Sequence, residues 1–322
     1  MNKANKTKES IPEIENIMDA YERIKLLVNH TPIISCASLN KLLDAELYFK
    51  CENFQKVGAF KYRGASNAVQ SMNMKEQKRG FATHSSGNHA AALALAAAKV
   101  NTKAYVVMPE NAPKIKKEAV KSYGAEITYC EPTLDARENT LNQVIEKTGA
   151  NFIHPYNNPL VIAGQGTVAL EFFEEMKDLD IIIAPVGGGG LLSGTAIASK
   201  YLNPKTLVFG AEPEMANDAF KSFNSKILVP SVSPKTIADG LLSSLGELTF
   251  QIILANVDKI FTASELSIIA AMRMIWERMK IVVEPSSAVP LATMMENKEI
   301  FKGKKIGIII SGGNVDLSNL PF

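Results

Sequence analysis

Four consecutive glycines, Gly187 to Gly190, directly follow the apolar run DIIIAP and directly precede LLSGTAIASKYL. An unbroken apolar run of that length reads as a strand buried on both faces, and the segment after it reads as a helix, so the glycines mark a strand-to-helix turn. Bare backbone at that place presents N–H groups beside the positive end of a helix dipole, a setting suited to a phosphate. A glycine turn that merely joins a strand to a helix is the alternative reading. The run is not the G-x-G-x-x-G of a dinucleotide fold, and no G-x-x-x-x-G-K-[ST] loop occurs, so a monophosphate ligand is favoured over NAD or a nucleoside triphosphate.

From residue 80 onward the chain alternates β-rich runs with helical stretches. GFATH leads into NHAAALALAAAK, AYVVM into IKKEAVKSYG with a stop at Gly124, and EITYC into a polar helix around DARENTLNQVIEK with a stop at Gly149. A second alternation follows: TVALEFFEEM, DIIIAP, the glycines, LLSGTAIASKYL, TLVFGAE, and finally KIGIII before SGGN. The pattern predicts an α/β fold of doubly wound sheets with helices on both faces. Residues 78–157 read as a small domain inserted between residues 1–77 and 158–322, which form the large one, with a site in the cleft between them.

Composition excludes several partners. Apolar residues make up 46% and charged residues 21% of the 322, ordinary for a folded globular chain, and a net charge of +2 gives no field for nucleic acid. Cys36, Cys51 and Cys130 are too scattered for a disulfide framework or a thiolate zinc site, which fits a reducing, cytoplasmic setting. The first ten residues are polar and read as a short disordered tail, without the apolar core of a secretory signal, and no run is long enough to span a bilayer.

Four further stretches carry candidate chemistry. Lys61 lies in VGAFKYRGA, among small residues and Phe60; a solvated surface lysine is the bland reading, whereas partial burial would free its neutral amine to attack an aldehyde. SSGNH, Ser85 to His89, falls at another strand-to-helix junction, where N–H groups converge on a carboxylate, or where Ser85, Ser86 or Asn88 simply caps the helix. SGGN, Ser311 to Asn314, ends the last apolar run and reads alone as an ordinary turn. Glu212 and Asp218, with the carbonyl of Ala216 between them, offer hard oxygen donors for Mg²⁺ or Ca²⁺, although two such carboxylates usually mark a solvated helix start.

Taken together, FKYRGA, SSGNHA, PVGGGG and SGGN, in this order, resemble the fold-type II pyridoxal-phosphate enzymes, the group of serine and threonine dehydratases, serine racemases and tryptophan synthase β. SSGNH, IAGQGT, AEPEMAND, IADG, WERMKIVVEP and SGGNVD look most like eukaryotic serine racemases. The resemblance spans about residue 12 to the end. It implies a two-domain fold in which Lys61 holds pyridoxal 5'-phosphate as a Schiff base and Phe60 lies beside the ring. Gly187, Gly188, Gly189 and Gly190 would bind the phosphate. Asn88 would bond the ring hydroxyl, Ser311 would face the ring nitrogen, and Ser85, Ser86, Asn88 and His89 would receive the substrate carboxylate. A serine opposite the ring nitrogen supports a charged pyridinium weakly, which favours elimination or racemisation over transamination.

The same resemblance implies a lysine base on one face of Cα and Ser86 as proton carrier on the other, where many dehydratases have alanine. The expected activity is serine racemisation with elimination to pyruvate and ammonia; a dehydratase for serine or threonine, or a threo-3-hydroxyaspartate ammonia-lyase, is the alternative. Rival classes are a metabolite-sensing protein that keeps only the fold and a nicotinamide oxidoreductase, which the glycine spacing disfavours. The resemblance also implies a homodimer, a divalent cation (Mg²⁺, or Ca²⁺ or Mn²⁺) on Glu212, Ala216 and Asp218, and ATP as effector near Lys56, Tyr123, Lys280 and Asn314. Ala91 stands where these racemases carry a glutamine near that nucleotide. Without the regulatory domain of biosynthetic threonine dehydratases, isoleucine feedback is not expected.

Overall fold

The computed structural model describes residues 10–112 and 114–322, so the expected disordered tail over the first residues lies largely outside the described chain. Among the described residues ten strands form two sheets. They are β1 (Ile33–Ser35), β2 (Glu46–Cys51), β3 (Phe81–His84), β4 (Ala104–Pro109), β5 (Glu126–Cys130), β6 (Asn151–Phe152), β7 (Ile181–Pro185), β8 (Leu207–Pro213), β9 (Lys259–Ala263) and β10 (Lys305–Ile310). The larger sheet has the order β1-β2-β10-β7-β8-β9, parallel except for antiparallel β1, and the smaller has the order β5-β4-β3-β6, all parallel.

The helices up to the middle of the chain are α1 (Ile14–Ile24), α2 (Ala37–Leu43), α3 (Lys61–Gln70), α4 (Met74–Gln77), α5 (Asn88–Lys99), α6 (Lys114–Ser122) and α7 (Leu134–Thr148). Those that follow are α8 (Pro159–Glu175), α9 (Gly190–Leu202), α10 (Asp218–Ser225), α11 (Glu247–Asn256), α12 (Glu265–Met274), α13 (Pro285–Glu296) and α14 (Lys298–Phe301). Local chemistry sets their ends. Thr133 caps α7 through a hydrogen bond from the Ala136 N–H, and Gly149 ends it in the left-handed region at φ 71°. Asn158 caps α8 and Pro159 opens it, so this helix starts well before the TVALEFFEEM stretch that marks it in the sequence.

Apolar clusters cover both faces of the larger sheet, one gathering Phe49, Ile183 and Ile308 and the other Ile182, Val208 and Ile309. The strand β7 is buried along its whole length, as its unbroken apolar run requires. The core beneath the smaller sheet is shared: Phe81, Leu93 and Ala104 pack with Ile24, Tyr62, Ala65 and Val69 from α1 and α3. Helix α3 therefore lies on both α5 and α8, at the junction of the two sheets.

Glycines let these helices cross closely. A Cβ on Gly164 would stand 2.6 Å from the Gly64 Cα, and one on Gly194 would stand 2.5 Å from the Gly166 nitrogen. Among the described residues no helix is long and apolar enough to cross a membrane. The α8/α9 crossing gives a direct test. Gly194→Ala should destabilise the protein by about 1–3 kcal/mol in denaturant unfolding; an unchanged midpoint would contradict the backbone contact.

Candidate active site

Lys61 is the first residue of α3, and its position is set by an antiparallel stitch to the far end of the chain. Ala59 bridges Gly312, the Phe60 N–H donates to the Ser311 carbonyl at 3.0 Å, and the Gly313 N–H donates to the Gly58 carbonyl at 2.9 Å. FKYRGA and SGGN, some 250 residues apart, thus meet edge to edge. The Lys61 amine donates to the Pro155 carbonyl at 2.8 Å and lies 5.2 Å from the centre of the Phe60 ring. Burial lowers its pKa to about 8, with the Glu284 carboxylate opposing the fall. A nitrogen so placed is neutral in a substantial fraction near pH 8, which a solvated lysine is not.

The glycine run forms a cradle that side chains would fill. A Cβ on Gly188 would fall 2.3–2.5 Å from ring carbons of Tyr156, and one on Gly187 2.9 Å from the Leu241 Cα. Gly189 is left-handed at φ 89° and caps α9, whose first-turn N–H groups have no earlier carbonyl to meet. Thr249 braces the loop by donating to the Gly188 carbonyl at 2.9 Å. Bare backbone, free amides and a desolvated lysine together suit an aldehyde that carries a phosphate, and they fit pyridoxal phosphate.

At the end of β3 the SSGNH turn is not capped by its serines. Gly87 occupies the cap position without a side-chain bond, and the Ser85 hydroxyl accepts from the Gly87 N–H at 3.3 Å. Ser86 is half-buried beside it. The Asn88 amide donates to both Glu284 oxygens, at 3.0 and 3.1 Å, and its carbonyl oxygen accepts from Asn314 at 2.9 Å. The His89 ring turns away from the cleft. It is 2% exposed, contacts the Ile153 carbonyl at 3.3 Å, and is held neutral, well below the usual imidazole range, by burial and by Lys61. Only its backbone N–H can belong to a carboxylate subsite.

Ser311 is buried, with its hydroxyl 3.0 Å from that of Ser287, which also donates to the Gly312 carbonyl at 2.7 Å. Three residues of this neighbourhood had no role in the sequence reading. Glu284, which precedes Pro285 in the quoted WERMKIVVEP, is pushed up to about 7 by burial and by Asp239. Tyr156 floors the glycine loop. His154 accepts the Tyr156 and Asn157 N–H groups on Nδ1 at 3.3 and 2.9 Å, and burial takes its pKa down to about 3. The HPYNNP string between two elements was the available signal.

Glu212 and Asp218 are not a solvated helix start. Both are buried; Glu212 accepts the Ala219 and Phe220 N–H groups at 2.9 and 2.8 Å, while among the described residues neither Asp218 oxygen has a partner within hydrogen-bond geometry. Burial raises both carboxyls, Glu212 to about 9. Ala216 sits in the intervening turn Glu214–Ala216. Two desolvated carboxylates, one with orphaned oxygens, fit a hard cation.

The positions matched to ATP are differently placed. Lys56 donates to the Leu27 carbonyl and stands over the Tyr62 ring, Asn314 bonds Val57 and Asn88, Tyr123 is half-buried against the small-sheet cores, and Lys280 ends a short π-helical turn, Ile275–Met279.

The lysine environment predicts a labelling profile. In cofactor-free protein, acylation of Lys61 followed by peptide mass spectrometry should rise with a midpoint near pH 8. Glu284→Gln should move that midpoint down, because the carboxylate it removes favours the ammonium form. A midpoint at the ordinary lysine value of 10.5 would contradict the burial argument.

Comparison with known proteins agrees with this geometry. Residues 24–312 match the family model described as pyridoxal-phosphate dependent enzyme. The chain is 50% identical to the β-hydroxyaspartate dehydratase of Paracoccus denitrificans, over 97% of this chain and 99% of that one. It is also 50% identical to the serine racemase of Dictyostelium discoideum, over 95% of this chain and 96% of that one. The crystal structure of the Dictyostelium racemase superposes with a TM-score of 0.92, at 49% identity, over 96% of this chain and all of that one. With its lysine, its glycine cradle and its two-sheet α/β architecture, the chain belongs to the family of pyridoxal-phosphate-dependent enzymes, in the fold-type II group of racemases and ammonia-lyases.

Proposed function

We propose that this enzyme is a serine racemase that also converts serine to pyruvate and ammonia, with Lys61 and Ser86 as its two proton carriers. The observation that carries the reading is the Lys61 amine, lowered to about 8 and donating to the carbonyl of Pro155, whose neighbour Tyr156 packs under Gly188 and Gly190. Bound pyridoxal phosphate supplies an electron sink that acidifies the Cα–H of an amino acid joined to it. The residues of the chain supply the rest. The N–H groups of the SSGNH turn and of the first turn of α5 hold the substrate carboxylate. Gly187 to Gly190 hold the phosphate, Phe60 flanks the ring, and the Ser311 hydroxyl serves its nitrogen. The Lys61 amine takes the Cα proton on one face, a task for which an amine near pKa 8 is well matched. Delivery of a proton by Ser86 on the other face inverts the centre, whereas loss of the β-hydroxyl as water, followed by hydrolysis of the resulting enamine by water, gives pyruvate and ammonia.

A second reading, ammonia-lyase action on 3-hydroxyaspartate, draws on the equal likeness to the Paracoccus dehydratase. We further propose that Glu212, Asp218 and the Ala216 carbonyl bind Mg²⁺, with Ca²⁺ or Mn²⁺ as substitutes, relieving the desolvated pair. We propose too that residues 78–157 form the small domain and that the enzyme acts as a cytoplasmic homodimer. Lys56 and Asn314 are engaged within the chain and Ala91 offers no polar group, an arrangement that gives ATP little to bind.

L-Serine given to the holoenzyme should yield both D-serine and pyruvate on chiral and keto-acid analysis. Pyruvate without D-serine would end the racemase reading, and turnover of 3-hydroxyaspartate more than about tenfold above that of serine, a difference of about 1.4 kcal/mol, would favour the second. Ser86→Ala should remove racemisation while sparing elimination of one enantiomer; equal loss of both reactions with both enantiomers would contradict the two-face assignment. Mg²⁺ should raise the thermal midpoint of the wild-type protein but not of Asp218→Asn, and an equal rise in both would place the cation elsewhere.

A further inference from the structure

Beside the lysine helix lie four charged side chains that the chemistry above does not use. Lys50 on β2, Glu52 just after it, Arg63 on α3 and Glu171 on α8 have side chains 0–1% exposed. The Arg63 guanidinium forks onto both carboxylates. It reaches Glu52 through Nε and Nη2 at 2.8 Å each, and Glu171 through Nη1 at 2.6 Å and Nη2 at 2.7 Å. Lys50 completes the set at 2.8 Å from Glu171 while donating to the Thr31 carbonyl at 2.7 Å, and the Thr31 hydroxyl donates to Glu52 at 2.6 Å. Thr167 and the Asn29 carbonyl accept the remaining Arg63 contacts at 3.3 Å. Two cations and two carboxylates, closed on each other, join the 29–31 segment, β2, α3 and α8.

Stability alone is a poor reason for this cluster. Replacing a buried ion network by apolar side chains of similar volume is often neutral or favourable, because desolvation offsets the Coulomb attraction. Direction is what a planar fork provides and apolar packing does not. Arg63 lies two residues beyond Lys61 on the first turn of α3, and the next residue, Gly64, donates its N–H to Gln165 of α8 at 3.2 Å. A small rotation of α3 about its axis would swing an amine at the end of a four-carbon stem further than the backbone beneath it. The charges cancel within the cluster, and the groups that shift Lys61 are burial and Glu284, not the quartet. Its influence on the amine is therefore one of place.

We propose that Lys50, Glu52, Arg63 and Glu171 are positioning residues that fix the first turn of α3, and with it the point at which the Lys61 amine meets Cα. The inference rests on the reading of Lys61 as a proton carrier. Arg63→Lys, which keeps the charge and loses the fork, tests it in the holoenzyme. The expected result is a kcat for pyruvate formation lower by about 10²-fold with KM within about twofold, as for a reacting group displaced by about 1 Å. In a Ser86→Ala background, the Cα hydrogen exchange that persists in D₂O reports the lysine face, and adding Arg63→Lys should cut it by about tenfold or more at unchanged KM. Exchange at the undiminished rate in folded protein overturns the proposal. So does a loss that merely follows the loss of folded protein or of bound cofactor, which a structural role alone would give. Should Arg63→Lys not fold, Thr167→Val, which removes one acceptor and no charge, must lower kcat at unchanged KM, and an unaltered kcat overturns the proposal. If Ser86→Ala itself stops exchange of both enantiomers while the cofactor stays bound, the two-face reading fails, and the effect of Arg63→Lys on pyruvate formation still decides the positioning.

Discussion

The stitch between Gly58–Phe60 and Ser311–Gly313 places everything else. It joins the segment that ends in Lys61 to the turn that ends β10, the strand lying between β2 and β7 in the larger sheet. Because β7 runs into the glycine cradle, the lysine and that cradle are positioned from neighbouring strands of one sheet. The same turn brings Ser311 and, through Ser287 and Glu284, the start of α13 to the site. Close packing then leaves the lysine helix little freedom, since glycines in α3, α8 and α9 let three helices touch through backbone.

Electrostatically the cleft is arranged around groups kept neutral. Burial depresses His84, His89 and His154, so the imidazoles near Lys61 act as fixed dipoles rather than competing cations. Burial raises Glu284 toward neutrality, and its hydrogen bonds from Asn88 oppose that rise. An amine in such surroundings loses its proton more readily than in water.

Much of this was legible in the sequence, for a physical reason: strand-to-helix turns announce themselves locally. PVGGGG and SSGNH each sit where a buried apolar run stops and a helix begins, so their elements follow from periodicity and glycine content alone, and SGGN marks the stop of the last strand. The resemblance to fold-type II enzymes supplied the assignment of Lys61 among many lysines, which composition never would. What stayed hidden depends on contacts between distant residues. Glu284 reaches Asn88 across 196 positions, and Arg63 reaches Glu171 across 108. The share of α1 and α3 in the small-sheet core comes from helix packing that no single segment encodes. The direction of the His89 side chain followed the burial of α5, against its expected part in the substrate loop. The burial of Glu212 and Asp218 likewise ran against the usual behaviour of carboxylates at a helix start.

The whole account depends on which nitrogen holds the cofactor. Borohydride reduction of the holoenzyme, proteolysis and mass spectrometry of the peptides test this most directly. The structure predicts a phosphopyridoxyl group on the peptide that contains Lys61. A modification on any other lysine, or on none, would contradict it.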